Sequence, residues 1–481
     1  MDKQNYEVAI IGGGIVGSFI FSGLARRGVN VVLLEATEDV ANGATKANSA
    51  IIHAGYDCAP GTKKAIFNVR GNAMYEEEAA RLGEKIVRTG SLVVAPKNGL
   101  SALEKLLNQG ITNGVKGLKI LDRAGLLALE PNLAEGVEYG LFAPSAKIVS
   151  PYSFAISLCE EAIVNGGALK LNFKVEKIKR EAEGFVLSSK TDAVSARFVV
   201  NCAGAGCAEI NKLAGAQKLN LNLVKGEYLI LDKAEFGVAK RPIFPLPSEK
   251  GKGILVVPTV AGNTLCGPTA QSISTFETSV TTDGLSQIKR ETSKMVNGLN
   301  FKKTIKLYAG VRVKCGDDFI VEFSKKVPHF FITAGISSPG LASAPAIAQY
   351  VIESLLGAGV ITHKHTPKKR RPYTDLTAMT KQEINELIAK NPKYGRLICR
   401  CENITQGEIE EVLAGVIRPL TVEGVKRRLR PTMGRCQGSF CMPQIIEIMA
   451  RTYKCKPEDI CVRGQTPLVT GNVKEGGIYE D

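Results

Sequence analysis

Four cysteines near the C-terminus have the type and spacing of a metal-ligand set: Cys399 and Cys401 as Cys-x-Cys, then Cys436 and Cys441 as Cys-x4-Cys. Four thiolates are the usual complement of a [2Fe–2S] cluster. Zinc competes for such a set, but its structural sites usually leave about two to four residues inside each pair. The single residue between Cys399 and Cys401 therefore favours iron–sulfur. Lys426, Arg427, Arg428, Arg430 and Arg435 precede the second pair, where they would offset an anionic cluster or form a solvated helix face. Cys455 and Cys461 lack partners at a recognised spacing and read as spectators. Cys58, Cys159, Cys202, Cys207, Cys266 and Cys315 read as small core or surface residues.

A second constellation opens the chain. Gly12-Gly13-Gly14-Ile15-Val16-Gly17 follows the apolar run 7–11 and precedes a helical pattern over 18–27. Gly12 suits a tight turn, Gly14 a close backbone approach to a pyrophosphate, and Gly17 close packing of helix on strand. The helix N-terminus offers free N–H groups and a positive dipole end to phosphates. A second strand over 31–34 ends in Glu35, placed to accept from ribose hydroxyls. The motif alone does not separate FAD from NAD. Three later segments favour FAD: 43–54, rich in small and hydroxyl residues, and the strands 198–204 and 331–335, each running into Ala-Gly. A helix expected over 342–356, behind Ser337-Ser338-Pro339-Gly340-Leu341, would aim its positive end at a reduced flavin ring. Gly204-Ala205-Gly206 lacks a third glycine, so a separate NAD site is not expected.

Only four histidines occur, two of them in the basic stretch 363–371. His53 lies inside a cofactor-hugging segment and is the first candidate for a base or substrate polariser, the alternative being a backbone hydrogen-bonding role. His329 reads as structural. Lys225 and Tyr228 are further candidates for the reacting centre, with Lys64 and Lys314 behind them.

These residues need elements to position them. A chain of 481 residues divides into about three domains by the length prior. No apolar run approaches the roughly 20 residues that span a bilayer, and no signal peptide precedes the first strand, so a cytoplasmic protein is expected, reaching any membrane through a partner. The 12 cysteines then read as reduced thiols or metal ligands. A net charge of +15 suits an anionic substrate or an acidic protein partner. Nucleic acid is not expected, since there is no Trp and aromatics do not interleave with the basic runs.

The pattern resembles the FAD-dependent oxidoreductases of the D-amino-acid-oxidase/glycerol-3-phosphate-dehydrogenase superfamily, in particular the anaerobic glycerol-3-phosphate and L-2-hydroxyglutarate dehydrogenase group. The resemblance spans about residues 5–360 and rests on Asn48 through Tyr56, Lys225-Gly226-Glu227-Tyr228, Gly310-Val311-Arg312 with Asp317-Asp318-Phe319, and Gly335 through Pro345. Residues 396–453 resemble the bacterioferritin-associated-ferredoxin-like [2Fe–2S] domain. The resemblance implies an α/β fold: a Rossmann-like FAD-binding domain (1–80, 145–215, 330–360) with an inserted mixed α+β substrate domain (81–144, 216–329). A basic linker (361–395), a small mainly helical [2Fe–2S] domain (396–455) and a tail (456–481) follow. It places Arg312 at the substrate, and dissociable FAD against Gly12, Gly14, Ile15, Val16, Gly17, Glu35, Ala36, Thr45, Asn48, Ser49, Ala50, Val175, Ala203, Gly204, Gly335, Gly340 and Leu341. The activity it implies is a dehydrogenase for a small anionic 2-hydroxy substrate, sn-glycerol 3-phosphate first. Hydride goes to flavin N5, and electrons leave through the cluster to a partner flavoprotein or membrane electron carrier. L-2-hydroxyglutarate, an amino or imino acid such as hydroxyproline or an opine, and a non-catalytic electron-transfer subunit are the alternatives.

Overall fold

The computed structural model describes residues 4–247 and 251–470. They fall into two compact units: residues up to 36 with 40–369, and 37–39 with the residues from 370 on.

In the first unit, the strand Gln4–Ile11 runs parallel between Val31–Leu34 and Ala193–Asn201. Val8, Ala9 and Ile10 are fully buried, as continuous apolar runs in a parallel sheet covered on both faces must be. Val31–Leu34 pairs onward with Ala168–Lys170. Ala193–Asn201 is long enough to hold two neighbours on its far edge. Gly184–Ser188 runs antiparallel along its first half, and Phe330–Ala334 runs parallel at 199–201. The fingerprint helix spans Ile15–Ala25 and begins directly at its N-cap Gly14, three residues before the sequence pattern suggests. The late helix spans Gly340–Gly357. It lies so close to the helix Lys63–Leu82 that a Cβ on Gly71 would sit 2.1 Å from the Ala342 carbonyl oxygen.

A second, nine-stranded sheet carries the candidates Lys225, Tyr228 and Arg312. Its longest pairing is antiparallel, between Asn222–Leu231 and Thr304–Lys314, with Tyr228 opposite Tyr308 and Val224 opposite Arg312. A small sheet of Ile51–Ile52, Lys147–Val149 and Ile86–Arg88 steadies the segment that leads to His53.

The basic stretch 363–371 has no regular structure, yet its first half is not a freely solvated linker. His363 N–H donates to the Gly28 carbonyl at 3.1 Å. Asn165 receives the Lys368 N–H at 2.7 Å and meets His365 Nε2 at 2.8 Å. Backbone groups that would otherwise need water are satisfied there by one buried amide side chain.

The second unit packs the helices Gln406–Leu413, Val422–Leu429 and Met442–Tyr453 around Ile409, Val425, Ile445 and Met449. Thr405 and Glu408 form a reciprocal capping box that fixes the start of the first of these. A short hairpin of Leu397–Cys399 with Ile404–Thr405 presents the Cys-x-Cys pair. Among the described residues, no helix is long and apolar enough to cross a membrane.

Candidate functional site

The nucleotide cradle follows from backbone geometry. Gly12 has φ +108°, open to glycine alone, and a Cβ there would lie 2.5 Å from the Cys202 carbonyl oxygen. A Cβ on Gly17 would lie 2.1 Å from the Gly12 carbonyl oxygen. Gly13 N–H donates to Glu35 Oε2 at 2.8 Å, and Ile15 N–H donates to Thr45 Oγ1 at 2.9 Å. The helix behind them has no side-chain cap, which leaves N–H groups for an anion. Ala203 and Gly204 stand where the strand Ala193–Asn201 ends beside Gly12, and nothing lies within 4 Å of a Cβ added at Gly204. Gly335 takes φ +68° just before the helix at Gly340 and Leu341. Ala50 is held at φ +60° in the segment that follows Asn48 and Ser49, a conformation a non-glycine residue keeps only when its surroundings enforce it. These residues fit a long phosphate-bearing cofactor. Val175 is buried in the apolar core with Leu34 and Ala9.

The substrate candidates form two groups. In the first, strand pairing brings Tyr228 against Tyr308, ring centroids 4.7 Å apart and stacked. Tyr308 Oη donates to the Asn48 carbonyl at 3.1 Å. Burial raises the Tyr228 pKa, while Arg312 and a hydrogen bond with Ser49 pull it back. Gly310 lets this strand press on the cofactor segment: a Cβ there would sit 2.0 Å from the Ala47 carbonyl oxygen. Arg312 Nη2 donates to the Thr269 carbonyl at 2.7 Å, and its Nε is buried with no hydrogen-bond partner. Lys225 is also buried here, but its ammonium pairs with Glu277 and with Glu227 at 3.5 Å, and the Glu277 carboxylate raises its pKa. Its charge is engaged by protein carboxylates.

His53 centres the second group. Its carbonyl accepts from Asn68 at 2.6 Å and from Asn72 at 3.0 Å. The ring lies 4.6 Å from Tyr56 and 5.6 Å, edge-on, from Phe244. Nδ1 faces the Gly55 N–H at 3.1 Å and Asp57 Oδ1 at 3.4 Å, and Nε2 is buried with no hydrogen-bond partner. Burial, then Lys252, lower the His53 pKa to about 4, against Asp57 and Asn68. The ring is therefore neutral near pH 7. Tyr56, Phe244 and Tyr228 belong to one apolar cluster, which joins the two groups. Sequence reading missed Asp57 and Lys252. Asp57 sits four residues past His53, a legible signal, whereas Lys252 is remote in sequence.

The remaining candidates lie elsewhere. His329 packs against Phe198, ring centroids 4.5 Å apart and tilted, a structural contact. Lys64 donates its backbone N–H to Asp318 at 3.0 Å, and its ammonium reaches over the Phe319 ring. Lys314 is exposed.

In the second unit the sulfurs meet in twos. Cys401 and Cys436 are 3.7 Å apart, and the interaction between Cys399 and Cys441 lowers the Cys399 pKa and raises that of Cys441. Backbone N–H groups of Thr432, Glu402 and Cys401 add to the Cys399 effect. Among the described residues no three ligand-type side chains converge on one point. The four thiols act electrostatically on one another as one set, and four thiolates are the usual complement of a two-iron cluster. The residues fit [2Fe–2S]. Arg430 pairs with Glu402 at 3.2 Å and Arg427 is buried, so these two are not a solvated face.

Comparison with known proteins agrees. The FAD dependent oxidoreductase family matches residues 7–354, and the BFD-like [2Fe-2S] binding domain matches residues 397–451. A glycerol 3-phosphate dehydrogenase of Caloramator mitchellensis is 40% identical, over 93% of this chain and 94% of its own. A glycerol 3-phosphate oxidase of Mycoplasma genitalium is 29% identical, over 73% of this chain and 95% of its own. Among solved structures, L-alpha-glycerophosphate oxidase from Mycoplasma pneumoniae with FAD bound superposes with TM-score 0.73 at 26% identity, covering 77% of this chain and 100% of that one. The chain belongs to the FAD dependent oxidoreductase family and carries a BFD-like [2Fe-2S] binding domain after it.

Proposed function

We propose that the protein is a dehydrogenase that oxidises sn-glycerol 3-phosphate to dihydroxyacetone phosphate and passes the electrons to a partner flavoprotein or membrane electron carrier. The observation that carries the reading is Arg312, a guanidinium with a buried, unpartnered Nε beside Tyr228 and the cofactor segment. A buried donor of this kind is costly unless an acceptor arrives, and a phosphate or carboxylate oxygen is the matching one. The relative from Caloramator mitchellensis supports the phosphate choice. The Mycoplasma genitalium oxidase is nearly fully covered yet matches only 73% of this chain, which supports an electron exit specific to the longer protein.

Gly12, Gly14, Gly17, Glu35 and Thr45 would hold the nucleotide half of FAD, and Ala50, Gly335 and Gly340 the flavin side. When bound, FAD accepts the hydride of the carbinol carbon. Cys399, Cys401, Cys436 and Cys441 would hold the [2Fe–2S] cluster, which carries single electrons. Arg312 binds the anionic end of the substrate. His53, neutral because it is buried, accepts the hydroxyl proton at Nε2. Tyr228 and Tyr308 wall the site and exclude water. Lys225 braces the strand through Glu227 rather than touching the substrate.

The test is anaerobic addition of sn-glycerol 3-phosphate, L-2-hydroxyglutarate and hydroxyproline to the purified holoprotein, followed by flavin absorbance. Bleaching by the first alone is expected. Bleaching by another selects that substrate, and bleaching by none selects an electron-transfer subunit.

A further inference from the structure

Asp57 divides its carboxylate oxygens between His53 and Lys252, with the Cys58 thiol also 3.9 Å from Oδ1. Its Oδ1 lies 3.4 Å from His53 Nδ1, and its Oδ2 lies 2.9 Å from Lys252 Nζ. The histidine and aspartate side chains are only 5% and 11% exposed, and His53 Nε2, on the far side of the ring, is buried without a partner. We propose that Asp57 is a positioning residue: it holds the proton of neutral His53 on Nδ1, so that Nε2 presents a lone pair to the substrate hydroxyl. The inference rests on the reading of His53 as the base.

Two groups compete for Nδ1 and demand opposite tautomers. The Gly55 N–H, 3.1 Å away, donates to a lone pair there; Asp57 Oδ1 accepts a proton from it. An ionised carboxylate facing a nitrogen lone pair in a water-poor pocket repels it, and moving the proton to Nδ1 turns that repulsion into a charge-assisted bond. Such bonds are roughly twice as strong as neutral ones, and low dielectric enlarges the difference. Lys252 makes the outcome robust: against the burial penalty, its charge holds the Asp57 carboxyl below the usual carboxylate range. The charged groups that act on the ring are Asp57 and Lys252; Asn68 is uncharged but raises the His53 pKa through its side-chain hydrogen bond, while Tyr56 and Phe244 pack against the ring. Ring contacts and the locked His53 carbonyl keep the imidazole from swinging away.

The proton balance is simple. The substrate O–H bond breaks, an Nε2–H bond forms, and the imidazolium so made is bonded through Nδ1–H to Asp57, which stays ionised. The proton later leaves Nε2 to water.

With four histidines in the chain, ¹⁵N-histidine labelling of the holoprotein allows ring-nitrogen NMR to read each tautomer, and His53→Gln assigns the signal. The wild type should show His53 with hydrogen on Nδ1. Asp57→Asn, whose amide can donate to Nδ1, should move the hydrogen to Nε2, while Asp57→Glu should keep it on Nδ1. In rapid mixing with sn-glycerol 3-phosphate, Asp57→Asn should reduce its flavin about 100-fold more slowly at saturation, as expected when a general base is lost. Half-saturation and FAD content should stay near wild type. An Nε2–H tautomer in the wild type overturns the proposal without any variant, as does an unchanged tautomer in Asp57→Asn. If His53→Gln reduces its flavin at the normal rate, the base reading falls, and the NMR result still decides what Asp57 does.

Discussion

The Cys401 and Cys436 sulfurs lie 3.7 Å apart, so two thiols separated by 35 positions come together. The Cys399 thiol is shifted most by Cys441, which the same distant loop carries. Each thiolate therefore depends on the loop that carries its distant partner. Cys436→Ser should abolish cluster absorbance while substrate still bleaches the flavin. Gly434→Ala should do much the same with all four ligands intact, because its Cβ would lie 2.1 Å from Cys401 Cβ. Overpacking of this kind costs about 1–3 kcal/mol, a roughly 5- to 150-fold weaker hold on the cluster. Iron and sulfide per chain measure it, and full occupancy in Gly434→Ala would contradict the geometry.

Gly17→Ala should release FAD. The added Cβ would lie 2.1 Å from the Gly12 carbonyl oxygen, and that oxygen belongs to backbone that cannot yield without moving the cradle. A cost of about 1–3 kcal/mol falls directly on cofactor affinity. The ratio of flavin to protein absorbance after dialysis reads it, with a wild-type ratio as the contrary result.

Arg312→Ala should keep FAD and lose substrate saturation. Removing a charge-assisted donor costs about 1.5–3 kcal/mol, or roughly 10- to 100-fold in half-saturation. Flavin reduction titrated with sn-glycerol 3-phosphate measures this, and an unchanged titration would remove Arg312 from the substrate site.

The pH dependence of flavin reduction follows from His53. Its pKa is lowered by burial and by Lys252 to about 4, so the ring keeps its lone pair through neutral pH. As pH falls through about 4 the ring protonates and the base is lost. The rate should be flat from pH 8 to 5 and drop near 4, as measured by rapid mixing after a pH jump. A half-maximal point near the ordinary histidine value of about 6.5 would mean that the ring is solvated in the working enzyme.

Much of this was legible from local pattern. The strand, glycine run, helix and Glu35 all precede or follow one another within a single unit, and their contacts are between near neighbours: Gly13 N–H reaches Glu35 Oε2 at 2.8 Å. The helices of the cysteine module carry a local signal too, since Thr405 and Glu408, three residues apart, form a capping box. Lys225 was readable only in part. Strand alternation puts Lys225 and Glu227 on one face, which hints at their pairing, but Glu277 arrives from a distant loop.

Residue type and short spacing already define the chemistry available: a phosphate cradle, a thiolate set and a lone histidine in the segment after Glu35. Tertiary structure decided which groups work together. Lys252 reaches Asp57, Tyr308 stacks on Tyr228, and Cys401 faces Cys436 only because strands and loops far apart in the chain are packed side by side. Burial, also a product of packing, sets the His53 pKa and leaves the Arg312 Nε without a partner. Protonation state and unmet hydrogen bonds are properties of surroundings, and surroundings are made by the fold.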